Sequence, residues 1–342
     1  MELNLHGTAH TVADALQRAR EAEATGFSGI FFADSQLLTL DPFQILSLCA
    51  TQTTRLRLGT AVSNMVYRDP TVLANSAATV NEVSGGRALL GLGTGDGPVY
   101  ALNRSATKLA QFEEGLRTIR ALLRGETIVV PRGKERLADG RLRLRVGKVP
   151  VPIYVSAEGP RSLRVAGRLA DGVIAGSGFD LKVLEWVREQ IALGARDAGR
   201  DPSQIDIMPA GMIAIDSDGA KARDLVRSRL ANRAHHNFRF TLETVPVDEL
   251  DGVKRFMASF DISKPLEERV DPKLITDYLV NRFTIAGTPA ECVARLRQLR
   301  SAGVEKVLLT PPEAIWRHVV AEWGRAVVPH FNTQIDNCST ED

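Results

Sequence analysis

The feature that most constrains this chain is a regular alternation of short apolar runs with amphipathic segments. The runs are rich in Ile, Val and Leu and do not alternate polar with apolar residues. That pattern is typical of strands buried on both faces of a parallel sheet. Eight such runs occur, at residues 3–5, 29–33, 56–62, 88–92, 152–156, 172–175, 207–215 and 306–309.

The segments between the runs have helical spacing, as where Val12, Leu16 and Ala19 fall on one stripe. The predicted helices cover residues 11–25, 71–83, 107–124, 161–170, 181–198, 217–234, 289–302 and 313–327. Eight units without a domain break favour a (β/α)8 TIM barrel over a doubly wound sheet. We therefore expect one domain over residues 1–331, followed by a flexible tail over 332–342.

Two stretches interrupt the alternation. Residues 126–149 predict a hairpin that turns at Asp139 and Gly140. Residues 236–280 are irregular and contain three prolines. We interpret both stretches as insertions on the loop side of the barrel, and we expect residues 236–280 to shape the substrate side of a site there.

The charge balance excludes several classes of partner. The 342 residues include 43 Lys and Arg against 41 Asp and Glu, which gives no electrostatic case for nucleic acid or anionic membrane. No apolar run approaches the length of a membrane span, and the first residues do not form a signal peptide. The three cysteines, Cys49, Cys292 and Cys338, are far apart and predict free thiols. We expect a cytoplasmic protein.

In a barrel of this kind, functional groups follow the carboxyl ends of the strands. The residues at those positions include few strong catalysts and several glycines. No metalloprotease, zinc-finger, nucleophile-elbow or Walker motif is present. The sequence therefore favours a bound cofactor held by backbone amides, not a metal centre. The candidates are His6, Asp34, Gln36, Ser63, Asn64, Gly93, Thr94, Gly95, Asp96, Gly176 and Ser177.

The segment from Glu158 to Ser162 is the best candidate for a phosphate site. Gly159 lets the backbone approach a ligand, and a helix with free amides begins at Pro160. Arg161 adds a positive charge. The alternative is an ordinary strand-to-helix turn with a proline in the first helical position.

Several segments together resemble the bacterial luciferase-like superfamily. Residues 58–64 with 68–70 are most similar to its methylenetetrahydromethanopterin reductase branch. The other matching segments, in chain order, are residues 82–96, 156–160, 170–174 and 283–289.

The resemblance implies a (β/α)8 barrel that uses FMN, reduced flavin or the deazaflavin coenzyme F420. In many members a non-proline cis peptide in a third-strand bulge backs the flavin ring, which by position is Ala61–Val62 here. The resemblance also places Gly93 to Asp96 beside the cofactor side chain. It places Gly159 and Pro160 at the cofactor phosphate, within a motif that begins at Ser156.

The chain departs from the family pattern after the second strand. Several deazaflavin members carry Asp-His there, whereas this chain has Asp34 and Ser35, followed by Gln36. Asp34 is a candidate to hold the flavin edge or to donate a proton, and His6 is a candidate for the missing acid. The pair His235–His236 is interpreted as the end of a helix and not as ligands.

These observations favour F420-dependent hydride transfer to or from a small organic substrate. The alternative is an FMN-dependent monooxygenase in which reduced flavin activates O₂. A non-catalytic flavin carrier is a third possibility. Members of the resembled family commonly dimerise through the helices after the second and third strands, so we also expect a homodimer.

Overall fold

The architecture is a closed barrel of parallel strands surrounded by helices. The computed structural model describes residues 1–132, 135–142, 149–227, 229–264 and 268–332. Its strands are β1 (Glu2–Gly7), β2 (Gly29–Phe32), β3 (Arg57–Thr60), β4 (Ser63–Asn64), β5 (Ala88–Gly93), β6 (Ile128–Arg132), β7 (Glu135–Gly140), β8 (Ile153–Ala157), β9 (Gly172–Ala175), β10 (Asp206–Ile215), β11 (Thr284–Gly287) and β12 (Lys306–Thr310).

The barrel closes in the order β1, β2, β3 with β4, β5, β8, β9, β10 and β12, and β12 pairs with β1. Counting β3 and β4 as one interrupted strand, these are the eight strands expected from the apolar runs. The expected (β/α)8 barrel is therefore confirmed. The additional strand β11 pairs in parallel with the second half of β10.

Helices cover the outside of the barrel. They are α1 (Val12–Ala24), α2 (Pro42–Gln52), α3 (Pro70–Ser84), α4 (Gly97–Ala101), α5 (Leu109–Leu123), α6 (Pro160–Leu169), α7 (Leu181–Asp197), α8 (Gly219–Arg227), α9 (Leu230–Thr241), α10 (Leu250–Ser259), α11 (Asp277–Phe283), α12 (Pro289–Ser301) and α13 (Trp316–Ala326). The single helix expected over 217–234 is two helices, α8 and α9.

Helix α2 was not expected from the sequence. The Asp41 side chain caps it by accepting hydrogen bonds from the amides of Phe43 and Gln44, at 3.0 and 3.3 Å. Pro42 occupies its first turn. An Asp-Pro pair before an apolar segment is a helix-start signal, and here it completes the strand–helix alternation.

The third barrel strand is broken by a bulge. Residues 58 and 59 pair with 88 and 89, and residues 63 and 64 pair with 92 and 93, so the interrupted strand contains one extra residue. The Thr60 hydroxyl donates to the carbonyl of Gly91 at 2.7 Å and accepts from its amide at 3.0 Å. A Cβ on Gly91 would lie 2.0 Å from the Thr60 carbonyl oxygen, so this close approach requires glycine.

The first insertion is an antiparallel hairpin, as expected, but its turn and its position differ from the prediction. Asp139 and Gly140 end β7 instead of forming the turn, and the connecting residues 133–134 lie outside the described residues. The hairpin follows α5 and precedes β8, so it lies on the amino-terminal side of the strands and not on the loop side. The error arose because Asp-Gly is also compatible with a strand end.

The second insertion lies between β10 and β11 and contains α9, α10 and α11. It has its own apolar cluster, centred on Phe238, Phe256 and Phe283, which continues onto β10 through Ala214. This packing fixes α9 relative to the barrel. Residues 265–267 of this insertion, and the expected tail beyond Asn332, lie outside the described residues.

Two layers of core hold the barrel. The larger layer lies between the strands and the outer helices. The smaller fills the barrel interior with Phe31, Leu89, Tyr154, Ile174, Met208 and Leu308. At the amino-terminal end, Tyr154 donates to Asp206, which also pairs with Lys306. Within the described residues, no helix is long and apolar enough to cross a membrane.

Candidate active site

The carboxyl ends of the barrel strands form the mouth of the barrel, and the candidate residues divide it into two arcs. The first arc follows the consecutive strands β4, β5, β8 and β9 and contains most of the residues expected to hold a cofactor. The second arc follows β10, β12 and β1 and includes His6. Strand β2, which leads to Asp34 and Gln36, lies between β1 and β3.

The two arcs meet at the bulge. The peptide bond Ala61–Val62 is cis, as the resemblance implied. The carbonyl oxygen of Ala61 accepts a hydrogen bond from Nε2 of His6 at 3.2 Å. Because a carbonyl cannot donate, Nε2 of His6 carries the hydrogen and Nδ1 is left as an acceptor.

The His6 imidazole is held in its neutral form. Burial lowers its pKa, and this effect outweighs the hydrogen bond to Ala61. The neutral ring that burial favours leaves Nδ1 able to accept a proton, and the acid role expected for His6 stays a prediction.

Asp34 is the centre of a buried ion pair. Its side chain accepts hydrogen bonds from the Ser63 hydroxyl at 2.6 Å and from Nε and Nη2 of Arg68 at 2.7 and 3.0 Å. Arg68 also contacts Asp41 at 2.8 Å. Both carboxylate oxygens of Asp34 therefore act as acceptors, which favours a positioning role over proton donation.

The same contacts determine what Ser63 and Asn64 do. Both side chains are buried, and the hydroxyl hydrogen of Ser63 is used by Asp34. The side-chain oxygen of Asn64 accepts from the amide of Val66 at 3.0 Å. These hydrogen bonds connect both side chains to neighbouring residues of the bulge, and their expected contacts with a cofactor stay a prediction. Gln36 is half-buried in the turn after β2.

The loop after β5 is open to the mouth. Gly95 has a φ of 107°, a left-handed conformation that favours glycine, and a Cβ there would lie 2.8 Å from Val99. Thr94 is half-buried and Asp96 is exposed. The carboxylate of Asp96 lies 3.4 Å from Nδ1 of His236. This contact connects the loop to α9.

A buried carboxylate, Glu158, joins β8 to the same helix. It pairs with Arg233, and its second oxygen accepts from the side chain of Asn237 at 2.9 Å. Asn237 in turn accepts from Arg282 at 3.0 Å. Burial by itself raises the pKa of Glu158, but the charges of Arg233 and His236 and the hydrogen bonds outweigh burial and lower it.

The expected phosphate site has the predicted local structure. Gly159 is the N-cap of α6, Pro160 is in its first turn, and the exposed Arg161 follows. The position of a Cβ on Gly159 lies 3.4 Å from the ring of Phe240, an ordinary van der Waals contact. Phe240 therefore borders this helix start, a neighbour that the sequence did not indicate.

The end of β9 provides a buried hydroxyl without a partner. Ser177 is fully buried, and its Oγ has no hydrogen-bond partner among the described residues. At the preceding position a Cβ on Gly176 would lie 2.4 Å from both Arg233 and Glu158, so glycine makes room for that ion pair. Ser156, on β8, is half-buried.

Sequence reasoning missed the contacts of several residues of the site: Arg68, Arg233, His236 and Asn237. Four of the polar residues on or beside α9 have a spacing of four, at positions 229, 233, 237 and 241. Residues with this spacing lie on one helix face, so the pattern was a usable signal. The interpretation of His236 as a mere helix end is corrected by its contacts with Asp96 and Glu158. In the described residues, no group of three or more His, Cys, Asp or Glu could hold a metal.

Comparison with known proteins places the chain in a family. The family model described as luciferase-like monooxygenase matches residues 2–306. The chain belongs to this family. The resemblance inferred from the sequence motifs is thereby confirmed.

Individual luciferase-like relatives align over nearly the whole chain. A 5,10-methylenetetrahydromethanopterin reductase of Methanolobus tindarius is 31% identical and covers 86% of this chain and 89% of its own. An F420-dependent glucose-6-phosphate dehydrogenase of Beutenbergia cavernae is 26% identical, with 92% and 91% covered.

The fold of a solved structure also matches. The coenzyme F420-dependent tetrahydromethanopterin reductase of Methanopyrus kandleri superposes with a TM-score of 0.72. The two chains are 22% identical, and the match covers 97% of this chain and 99% of that one. At 22% sequence identity, this match supports a shared barrel fold.

Proposed function

We propose that this luciferase-like protein is an F420-dependent oxidoreductase that transfers hydride to or from a small organic substrate. The observation that carries the proposal is the first arc, in which four consecutive strands present the positions that the family uses for its cofactor. Relatives named as F420-dependent enzymes support the deazaflavin over FMN.

The residues of the first arc fit such a cofactor. The unpartnered hydroxyl of Ser177 is available to a ligand hydroxyl, and the first amides of α6 with Arg161 suit a phosphate. When bound, F420 supplies a ring carbon that accepts or donates the hydride.

His6 is the residue of this chain that we assign to proton transfer. Its Nε2–H is fixed on Ala61, so Nδ1 accepts the proton of a substrate hydroxyl during oxidation and returns it during reduction. The neutral ring that burial favours is the form required for the oxidative direction.

Titration of the purified protein with F420 and, separately, with FMN tests the cofactor assignment, with cofactor fluorescence as the readout. We expect tight F420 binding and weak FMN binding. Ser177→Ala should weaken F420 binding about fivefold, the effect of losing roughly one hydrogen bond. Ser301→Ala, at the exposed end of α12, is the control.

The opposite preference would overturn the F420 assignment and favour the FMN-dependent monooxygenase, which the description of the family supports. Oxygen uptake with reduced FMN would then be the next measurement. Binding of F420 without any substrate-dependent reoxidation would favour a carrier instead.

We also propose a homodimer formed through α2 and α3. A groove of about 350 Å³ lies between these helices, and its lining contains no charged side chain among the described residues. Of the exposed residues of the two helices only Glu82 is charged; the others are Gln44, Leu48, Thr51, Gln52, Val72, Asn75, Thr79 and Val83. A surface so poor in charge suits an interface.

Sedimentation analysis tests the dimer. Leu48→Glu combined with Val72→Glu should yield monomers, whereas Leu225→Glu, which places a charge at an exposed leucine of α8, should not. A monomeric wild-type protein would contradict the proposal. We further infer one domain over residues 1–331 and a cytoplasmic location, supported by the free, buried Cys49 and Cys292.

A further inference from the structure

The second arc of the mouth contains a pocket that the cofactor residues do not use. Its volume is about 310 Å³, near the lower end of the range for small-molecule sites. Among its lining residues, His6 lies on β1, Met212 lies on β10, and Pro311 and Glu313 follow β12. Arg229, at the start of α9, completes the wall.

Within the described part of the chain, the lining of this pocket contains one acidic side chain, Glu313, and one basic side chain other than histidine, Arg229. Glu313 accepts hydrogen bonds from Arg18, which reaches both of its carboxylate oxygens, and from the hydroxyl of Thr8 at 3.0 Å. Arg18 also pairs with Asp14 at 2.7 Å, so its charge is shared between two carboxylates. Arg229 is half-buried, and no carboxylate of the described residues lies within 4.0 Å of its guanidinium.

Among the described residues, a guanidinium without a carboxylate partner lines the same pocket as the proposed proton acceptor, and this has a specific consequence. Arginine presents a rigid fork of donors that matches the two oxygens of a carboxylate or a phosphate. Arg233, one turn further along, is neutralised by Glu158, whereas Arg229, the N-cap residue of α9, lines this pocket. Arg161 lies on the other arc, after β8.

We propose that this pocket binds the substrate and that Arg229 binds an oxyanion group, carboxylate or phosphate, which the substrate carries. The inference rests on the proposed function, since it places the reacting carbon between His6 and the cofactor arc. The substrate class is then a small alcohol, or the matching carbonyl compound, that carries an anionic group. Neutral alcohols of the same size lack a partner for Arg229.

Matched pairs of ligands test the proposal without turnover. The dissociation constants of 3-hydroxybutyrate and its methyl ester, and of glycerol 1-phosphate and glycerol, are measured by ligand-observed NMR with the wild-type protein. We expect at least one anionic member to bind about 10- to 100-fold more tightly than its neutral partner, the range for a charge-assisted contact. The two pairs distinguish a carboxylate from a phosphate.

Variants of arginine identify the residue responsible. Arg229→Gln should abolish the preference for the anion, and Arg229→Lys, which keeps the charge but not the fork, should retain part of it. Arg255→Gln removes the same charge from the exposed face of α10 and should change nothing. Equal binding of both members of each pair, or a preference that survives in Arg229→Gln, would overturn the proposal.

The F420 titration separates the two proposals. An Arg229-dependent anion preference in a protein that does not bind F420 would support the oxyanion site and contradict the proposed function. F420 binding without any anion preference would support the function and contradict the assignment of Arg229. Arg229→Gln should bind F420 with unchanged affinity, because Arg229 belongs to the second arc.

Discussion

Replacement of Asp34 by Asn tests whether the bulge is held by a buried ion pair. The Asp34 side chain is almost fully buried and accepts three hydrogen bonds from Ser63 and Arg68. An amide group would place a donor against one of these donors. We expect a loss of about 3 kcal/mol in the free energy of unfolding, the low end for breaking a buried pair, because Arg68 is partly exposed and keeps Asp41.

The chain provides a matched control at Asp41. Asp41→Asn also removes one carboxylate from Arg68, but the Asp41 side chain is 34% exposed. Asparagine retains the capping of α2, since it is as good an N-cap as aspartate. We expect a loss of at most about 1 kcal/mol for this variant, as for other exposed pairs.

Urea unfolding followed by tryptophan fluorescence measures both losses, because Trp316 and Trp323 are fully buried. In the same preparations Asp34→Asn should lower turnover more than F420 affinity, since Ser63 directly follows the cis peptide at the meeting point of the arcs. If Asp34→Asn were no more destabilising than Asp41→Asn, the ion pair would not be what holds the bulge.

Three further changes have defined outcomes. Folding lowers the pKa of His6, so the protein is stabilised above about pH 6.5, where the ring is neutral, and this stability is lost as the pH falls. His6→Gln keeps a hydrogen-bond donor for Ala61 and should remove this contribution to the pH dependence of thermal unfolding between pH 7 and 5. Gly159→Asp should abolish F420 binding by titration, whereas Gly159→Ala, with an ordinary contact to Phe240, should retain it. Tyr154→Phe should lower the free energy of unfolding in urea by about 1 kcal/mol, because the hydrogen bond to Asp206 is lost. It should leave F420 affinity unchanged, because Tyr154 lies at the end of the barrel opposite the mouth.

The strands of the barrel could be predicted because their signal is local. A run such as residues 88–92 is apolar at every position, and burial on both faces is the physical reason. The residues that follow each strand could be placed at the mouth because the carboxyl ends of all barrel strands lie there. The hairpin turn was misplaced because Asp139–Gly140 carries a turn signal that the strand pairing overrides.

The contacts within the site depend on pairs far apart in the chain. Glu158 and Arg233 are separated by 75 residues, and Asp34 and Arg68 by 34. No periodicity reports which side chain a buried carboxylate will meet, so Glu158 was expected at a phosphate and is found in an ion pair. The spacing of four between polar residues along α9 was a local sequence pattern that reflected these contacts.

Helix α9 connects the two arcs through a single face. Arg229, its N-cap residue, lines the proposed substrate pocket. Arg233 in its first turn and Asn237 in its second hold Glu158 beside the cofactor arc. A packed helix moves as a unit, so a displacement that loosens Glu158 also moves Arg229. If Arg229 binds the substrate as proposed, α9 contributes to the choice of substrate while the strand ends hold the cofactor. Substrate preference in this chain is therefore expected to change through residues 229–241, with the strand ends left as they are.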